Sequence, residues 1–470
     1  MELAAAGVTR DDGVRAAFAE DASGLRMVPD AVARPASAAE AAELLREASA
    51  TRTPVTPAGA QTSTTGASIA DRGVLLSLSR MTRLLDVDAD RRIVRAEAGA
   101  ILGDVKRAAA EHGLLLAPDP TSEDWSTVGG AVACNASGAR SLRYGATRPH
   151  VAALTVVTAA GETLELRRPR LEKNTVGFAF AHDPVDWFVG SEGTLGVVVE
   201  VELSLLPLPE RVTGFAFPFA REEDALAFVV AARESPALRP RCLEFFDERA
   251  LAIARDAGGD AAWAAGAAAL VYAEDSDEPS LDGEATAAPR RDVPLDDWLS
   301  LAERHGAATD DIRVYEDDAA VREARRVRHA VPATMNERGA RHRSAGGRKV
   351  STDWAVPYAR LGAALAEARR AADRHGVEQA VTYGHAGNGH PHQNFIARDA
   401  DELRRIEAVV GETLAHVVSL GGTVAAEHGV GKLKRRWVPL QLGTLQLGAM
   451  RALKHELDPL GILAPGNVFP

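Results

Sequence analysis

The sequence predicts an α+β fold in two parts, and three observations carry that prediction. Alternating apolar and polar stretches recur, as in half-buried strands, but without the regular punctuation of a parallel sheet. Glycine-rich stretches crowd the first half of the 470 residues, up to a Pro-bearing boundary at Pro209. Beyond it, single strands are each followed by a helix, which suits helices laid on one face of an antiparallel sheet. A chain of this length also exceeds one small core.

In chain order, "AAEAAELLREASA" (38–50) is an Ala-rich helix, and "TPVTPAGAQTSTTGAS" (53–68) is a strand breaking into a Gly/Ser/Thr loop. "GVLLSLSRMTRLLDVDADRRIVRAEAGAIL" alternates as strands do, and "LGDVKRAAAEHGLLL" is a helix. The stretch 117–145, "APDPTSEDWSTVGGAVACNASGARSLRYG", has little helical character. "HVAALTVVTAAGETLEL" reads as a hairpin, and "GVVVEVELSLLPLPE" (196–210) as a strand ending in prolines. In the second half "TGFAFPF" precedes the helix "REEDALAFVVAARES", "CLEFFD" precedes "ERALAIARDAG", and "AAALVYAED" is a further strand. The acidic segment 274–294 reads as a mobile surface loop. "IRVYEDDAAVREARRVRHAVP" is a strand and then a helix ended by Pro332. "AVTYGHAGNGHPHQNFIA" is two strands joined at glycines, followed by a helix from about Asp401 to Leu420.

The composition excludes several classes. A formal charge of −12 argues against a nucleic-acid or anionic-membrane footprint. Two cysteines, Cys134 and Cys242, make no disulfide framework and suit a reducing, cytoplasmic setting. No stretch is apolar for long enough to be a transmembrane segment, and the N-terminus lacks a signal-peptide core. No internal repeat is evident.

Three small-residue runs share one physical logic. In "PAGAQTSTTGAS" and "STVGGAVACNASGARSLRYG", missing side chains let backbone N–H groups approach a phosphate, and Ser/Thr hydroxyls add donors. In "GSEGTLGVVVEVELSLLP", Gly190, Gly193 and Gly196 precede a buried strand against which a flat aromatic ligand can lie. Neither G-x-G-x-x-G nor a P-loop is present. Each loop alone reads equally well as an ordinary surface loop.

Together the three runs resemble the FAD-binding domain of the vanillyl-alcohol-oxidase superfamily, also called PCMH-type. The nearest likeness is to its D-lactate, glycolate and D-2-hydroxyglutarate dehydrogenase branch. It extends to the C-terminal "DPLGILAPGNVF". The resemblance implies a two-subdomain FAD-binding domain over 1–209 and an α+β cap over 210–425 carrying substrate and metal sites. Residues 426–470 would then return to the FAD domain, with the active site where the cap covers the flavin. It nominates Gly59, Ala60, Gln61, Thr62, Ser63 and Gly66 in the first loop, and Asp119, Pro120 and Thr121 before the second. Ser126, Gly129, Gly130, Asn135, Ser137 and Gly138 follow, then Gly193 and Val198 behind the flavin, and Asn467 near the end. Where the family carries Pro-Arg-Gly-x-Gly-Thr, Ala58 and Gln61 replace the Arg and the second Gly. Gln61 crowds a backbone that expects glycine, although its amide is able to donate to a phosphate. The loop has no histidine, so the resemblance implies non-covalent FAD.

"YGHAGNGHPHQNF" (383–395) holds three of the chain's 13 histidines. It reads alone as a metal site, a catalytic base with helpers, or a polar hairpin. In an extended strand His390, His392 and Asn394 share a face, and His385 converges on them across a Gly-bearing turn. "AAEHGVGKLKRRW" adds Glu427 and His428. Two His and a carboxylate suit zinc, or manganese or iron. The resemblance, through His-x6-His and a distant Glu, implies His385, His392 and Glu427 as ligands, with Asn394 touching substrate. Asn388 and His390 replace the family's Asp and Asn, which leaves His390 open as a further ligand.

The chemistry this implies is oxidation of a D-2-hydroxy acid, such as lactate, glycolate or 2-hydroxyglutarate, to the 2-oxo acid. His428 serves as base, its bland alternative being to orient Glu427 or bond the flavin. Arg328 and Lys349 capture the substrate carboxylate, whereas Arg325 and Arg326 read as a solvated helix face. Lys349 stands out because only six lysines occur among 54 basic residues. One rival is a flavin-dependent transferase resembling alkylglycerone-phosphate synthase, disfavoured because its run of consecutive histidines is absent. Another is a flavin-binding protein without turnover. The electron acceptor (quinone, flavoprotein, cytochrome or oxygen) is left open, and a homodimer is compatible with the sequence.

Overall fold

A computed structural model describes residues 7–258, 266–278 and 292–470. The chain divides into one unit of Met1–Gly138, Gly145–Pro207 and Glu427–Pro470, and a second of Ala139–Tyr144 and Leu208–Ala426.

The first unit holds strands β1 (Val8–Thr9), β2 (Ala31–Ala33), β3 (Val55–Ala58), β4 (Val74–Ser77), β5 (Leu84–Asp88), β6 (Ile93–Glu97), β7 (Leu114–Leu115), β8 (Val151–Val157), β9 (Thr163–Arg167), β10 (Val197–Ser204) and β11 (Leu206–Pro207). One sheet has the order β1-β2-β4-β3, with β2 and β3 both parallel to β4. A second, antiparallel sheet has the order β5-β6-β10-β8-β9. Helix α1 (Ala38–Thr51) starts where Ser37 accepts from the Glu40 N–H, and it buries Ala41, Leu44, Leu45 and Ala48 at helical spacing against Val55 and Val74. β10 is buried at nearly every position because it lies between β6 and β8.

The glycine-rich stretch is more helical than expected. Helix α2 (Val128–Cys134) forms despite Gly129 and Gly130, because Thr127 caps the Gly130 N–H at 3.1 Å and Val128, Ala131 and Val132 are buried. Asn135 ends it in the left-handed region, at φ +50°.

The second unit is built on one seven-stranded antiparallel sheet: β12 (Val212–Phe219), β13 (Cys242–Asp247), β14 (Ala269–Ser276), β15 (Arg313–Tyr315), β16 (Gly346–Ser351), β17 (Val381–His385) and β18 (His390–Asp399), in the order β15-β12-β14-β13-β17-β18-β16. Helices cover both faces rather than the single face expected. On one, helix α3 (Asp318–Ala340) sets Ala324, Val327, Val331 and Met335 against Cys242, Phe246, Tyr272 and Tyr383. On the other, Phe215 and Phe217 meet Trp298 and Phe228 from two further helices. Strands such as "CLEFFD" are apolar on both sides, and two apolar faces need two covers.

Two further expectations are corrected. Helix α3 runs through Pro332 to Ala340, since Val331, Met335 and Gly339 bury its later turns. The supposed loop at 274–294 begins inside β14: Glu274, Asp275, Ser276, Asp277 and Glu278 are all buried, and 279–291 lies outside the described residues. Arginines replace water as partners there. Arg140 and Arg325 each grip Glu274 through two nitrogens, at 2.7 to 3.1 Å. Among the described residues no helix is long and apolar enough to cross a membrane.

Candidate active site

In the first unit the three glycine-rich runs pack on one another, and absent side chains are what allow it. A Cβ on Gly59 would stand 2.3 Å from Thr127 Oγ1, one on Gly138 would stand 2.1 Å from the Asp119 carbonyl oxygen, and one on Gly193 would stand 2.9 Å from Pro57 Cγ. The Gly190 and Glu192 N–H groups donate to Val132 and Ala133 carbonyls of α2, at 3.0 and 2.9 Å. Ser126 Oγ is buried with no hydrogen-bond partner, so a polar ligand at this cradle would satisfy it. Val198 is buried in β10. A close-packed backbone cradle with an orphaned hydroxyl fits a flavin dinucleotide.

Not every nominated side chain is offered to a ligand. Gln61 sits at φ +55°, and its amide nitrogen donates to the Phe18 and Ser68 carbonyls, both at 3.0 Å. That group tethers the loop, which corrects the expectation of a phosphate donor. Asn135 Oδ1 accepts from the Arg148 N–H at 2.9 Å. Asn467 accepts from Lys432 Nζ at 2.7 Å and donates to the Ala67 carbonyl at 2.8 Å, so it joins the chain's end to the first loop. Ser63 Oγ accepts from the Thr65 N–H at 3.2 Å and is likewise part of the loop's own fold.

The three histidines of the 383–395 stretch lie in the second unit. Register pairs His385 with His390, Tyr383 with His392 and Val381 with Asn394, so all six share one sheet face. The turn between the strands needs Gly389 at φ +67°, where a Cβ would stand 2.0 Å from the Val356 carbonyl oxygen. His385, His390 and His392 are buried, with ring centroids 4.7 to 5.4 Å apart. Each offers a nitrogen within 4.8 Å of the others. Both amide atoms of Asn394 are buried without a hydrogen-bond partner, one rung along the same face. Three buried imidazoles form a donor set that fits a divalent cation.

Carboxylates stand behind two of these rings. His385 Nδ1 is 2.5 Å from Glu244 Oε1, and His390 Nε2 is 3.2 Å from Asp353 Oδ1. Burial raises the Glu244 pKa, but the His385 ring and the Arg328 guanidinium outweigh it and hold the group at about 2. Arg328 Nε and Nη2 both lie 3.0 Å from Glu244 Oε2. That edge of the guanidinium is committed to the protein. Arg325, expected on a solvated face, instead holds buried Glu274, whereas Arg326 is exposed and paired with Glu323 as expected. Lys349 pairs in register with Ile396, on the face that carries Asn394 and His392. Among the described residues it has no ion-pair partner, and burial lowers its pKa to about 8.

Glu427 and His428 belong to the first unit. Glu427 Oε2 accepts from Ser137 Oγ at 3.3 Å, and its Oε1 is 3.5 Å from His428 Nε2. Just beyond, buried Glu192 accepts from the Val430 and Gly431 N–H groups, at 2.5 and 2.8 Å. Gly429 is forced to be glycine, with φ +75° and the Glu192 carboxylate 2.7 Å from any Cβ. Glu244, Asp353 and Glu192 escaped the sequence reading. For Glu244 and Glu192 the available signal was an acid inside an apolar strand ("CLEFFD") or between glycines ("GSEG"), and Asp353 offered none.

A flavin cradle of this make in one unit and a sheet-borne histidine cluster in the other define the class, that of flavin-dependent oxidoreductases. An FAD binding domain profile matches residues 29–167, and the profile of the C-terminal domain of FAD linked oxidases matches 208–468. The chain belongs to the FAD-linked oxidase family. A D-2-hydroxyglutarate dehydrogenase of Xanthomonas citri pv. viticola is 33% identical over 449 residues, 94% of this chain and 89% of that protein. A D-lactate dehydrogenase of Archaeoglobus fulgidus is 32% identical over 442 residues, 93% of this chain and 90% of that one. The glycolate oxidase subunit GlcD of Bacillus subtilis is 30% identical over 446 residues, with 94% and 89% covered. In fold the chain is similar to a solved alkyldihydroxyacetonephosphate synthase, with TM-score 0.72, 18% identity, and 98% of this chain and 82% of that one covered.

Proposed function

We propose that the protein oxidises a D-2-hydroxy acid to the 2-oxo acid, with non-covalent FAD and a divalent metal, zinc favoured. The observation that carries this reading is the buried His385–His390–His392 cluster on the sheet face that also bears Asn394 and Lys349. The relatives named for hydroxy-acid substrates support the same class. When bound, FAD supplies the hydride acceptor, and a metal held by His385, His392 and Glu427 supplies Lewis acidity at the substrate hydroxyl.

The chain's own residues do the rest. Lys349 holds the substrate carboxylate by charge, assisted by Arg328, and Asn394 fixes its orientation through an amide that has no competing partner. His428 takes the hydroxyl proton as the C2 hydride leaves, so the substrate loses one proton and one hydride and its C–O bond becomes C=O. Burial of the histidine face keeps water from competing with substrate.

Anaerobic addition of a panel of D- and L-2-hydroxy acids tests this directly. Rapid bleaching of the flavin band by D-isomers, with the 2-oxo acid recovered, is expected. An oxidised spectrum unchanged by every member of the panel would sink the reading.

A further inference from the structure

We propose that Glu244 is a positioning residue that sets the tautomer and ring plane of His385, and that Arg328 clamps Glu244 for this purpose. The proposal rests on the reading of the histidine cluster as a metal centre. Three elements of the second unit contribute one residue each: α3 gives Arg328, β13 gives Glu244 and β17 gives His385. Glu244 Oε1 faces His385 Nδ1 at 2.5 Å, and Oε2 receives Arg328 Nε at 3.0 Å. A carboxylate acceptor at Nδ1 makes that nitrogen the proton carrier, which leaves the lone pair on Nε2 for a ligand.

Glu244 is 1% exposed on a strand whose neighbours Leu243, Phe245 and Phe246 are apolar and buried. A carboxylate there is costly, and Arg328 alone would neutralise it. The His385 ring on the second oxygen also favours the charged carboxylate, and the same contact fixes the orientation of the imidazole. Acidic partners of this kind raise a ligating nitrogen's basicity, and their loss typically weakens metal binding ~10–100-fold. His390 Nε2 lies 3.2 Å from Asp353 Oδ1, a longer contact separate from this one.

The experiment titrates cobalt(II) into metal-stripped, flavin-loaded wild type and into Glu244→Ala and Glu244→Gln. It reads Kd from the cobalt absorption bands and flavin per chain from the visible spectrum. Wild type should bind one cobalt, Glu244→Ala should bind it ~10–100-fold more weakly with flavin retained, and Gln, which keeps the acceptor oxygen, should recover part of the loss. Equal affinity in all three proteins overturns the positioning role while the metal reading stands. Failure of wild type to bind cobalt overturns the metal reading and the proposal with it. Should Glu244→Ala not fold, Glu244→Gln and the proton spectrum of the wild-type cobalt protein decide. A hyperfine-shifted, slowly exchanging N–H that broadens in Glu244→Gln supports the clamp, and its absence from wild type overturns it.

Discussion

Among the described residues Lys349 has no ion-pair partner, and the proposed function gives it one in the substrate carboxylate. Burial lowers its pKa to about 8, so it is protonated below that pH and neutral above it. A substrate carboxylate needs the protonated form, and KM should therefore rise as pH passes upward through about 8. Lys349→Arg should remove that rise, because guanidinium stays charged, whereas Lys349→Met should raise KM at pH 7 by on the order of 30-fold, from the ~2 kcal/mol lower bound for truncating a buried charge pair. A KM that is flat from pH 7 to 9.5 in wild type would assign carboxylate capture elsewhere. The stability sign is opposite to that of a salt bridge. With the folded pKa below the usual lysine value, the unfolded chain binds the extra proton between about pH 8 and 10.5, so stability rises across that window. Lys349→Met should abolish the slope, as urea melts at several pH values will report. Lys349 was legible because lysine is scarce in this chain, but Glu244 was not. Its meaning depends on Arg328 and His385, 84 and 141 residues away.

Helix α3 shows how packing overrides a local signal. Pro332 supplies no N–H to the Arg328 carbonyl, yet the helix persists to Ala340 because its buried residues recur on both sides of the proline. Pro332→Ala should restore that bond and stabilise the second unit by about 1–2 kcal/mol, after allowance for the ~0.4–1 kcal/mol by which proline stiffens the unfolded chain. An unchanged or lower denaturant midpoint would mean that the ring itself fills the packing. Glycine-rich elements behave conversely. Gly138→Ala forces a Cβ against the Asp119 backbone, an overpacking of ~1–3 kcal/mol at the cradle, and flavin per chain should fall sharply. Gly448→Ala, in the exposed helix Thr444–Leu457 with nothing within 4 Å, should keep its flavin and gain up to ~1 kcal/mol. Equal flavin in the two variants would refute the cradle. Strands and the histidine hairpin were legible because period-two alternation is local. The α2 helix was not, because its glycines lower the helical signal that Thr127 and burial restore. Nor was the buried end of β14, where Glu274 takes partners 134 and 51 residues distant.

Across the whole molecule the two chemistries fall in different units. Every flavin-cradle candidate lies in the first, and the three clustered histidines and Asn394 lie in the second. Two sites on separate hydrophobic cores should respond independently to substitution. His385→Ala and His392→Ala should therefore release the metal and abolish turnover while flavin stays at its wild-type stoichiometry. His390 is the discriminating control: as a ligand His390→Ala should abolish turnover as its neighbours do, and as a supporting group it should lose activity only ~10–100-fold. Glu427 is the informative exception, because it is hydrogen-bonded to Ser137, a cradle candidate. Glu427→Gln preserves shape while removing a charge, so loss of metal with flavin intact assigns it as a ligand, and loss of flavin assigns it to the cradle. Chelator treatment followed by readdition of zinc, manganese or iron asks the same question of the unaltered protein. Activity should vanish with the metal and return with one of the three. Full turnover in protein shown by elemental analysis to be metal-free would remove the metal from the mechanism and leave His428 to work beside the flavin alone.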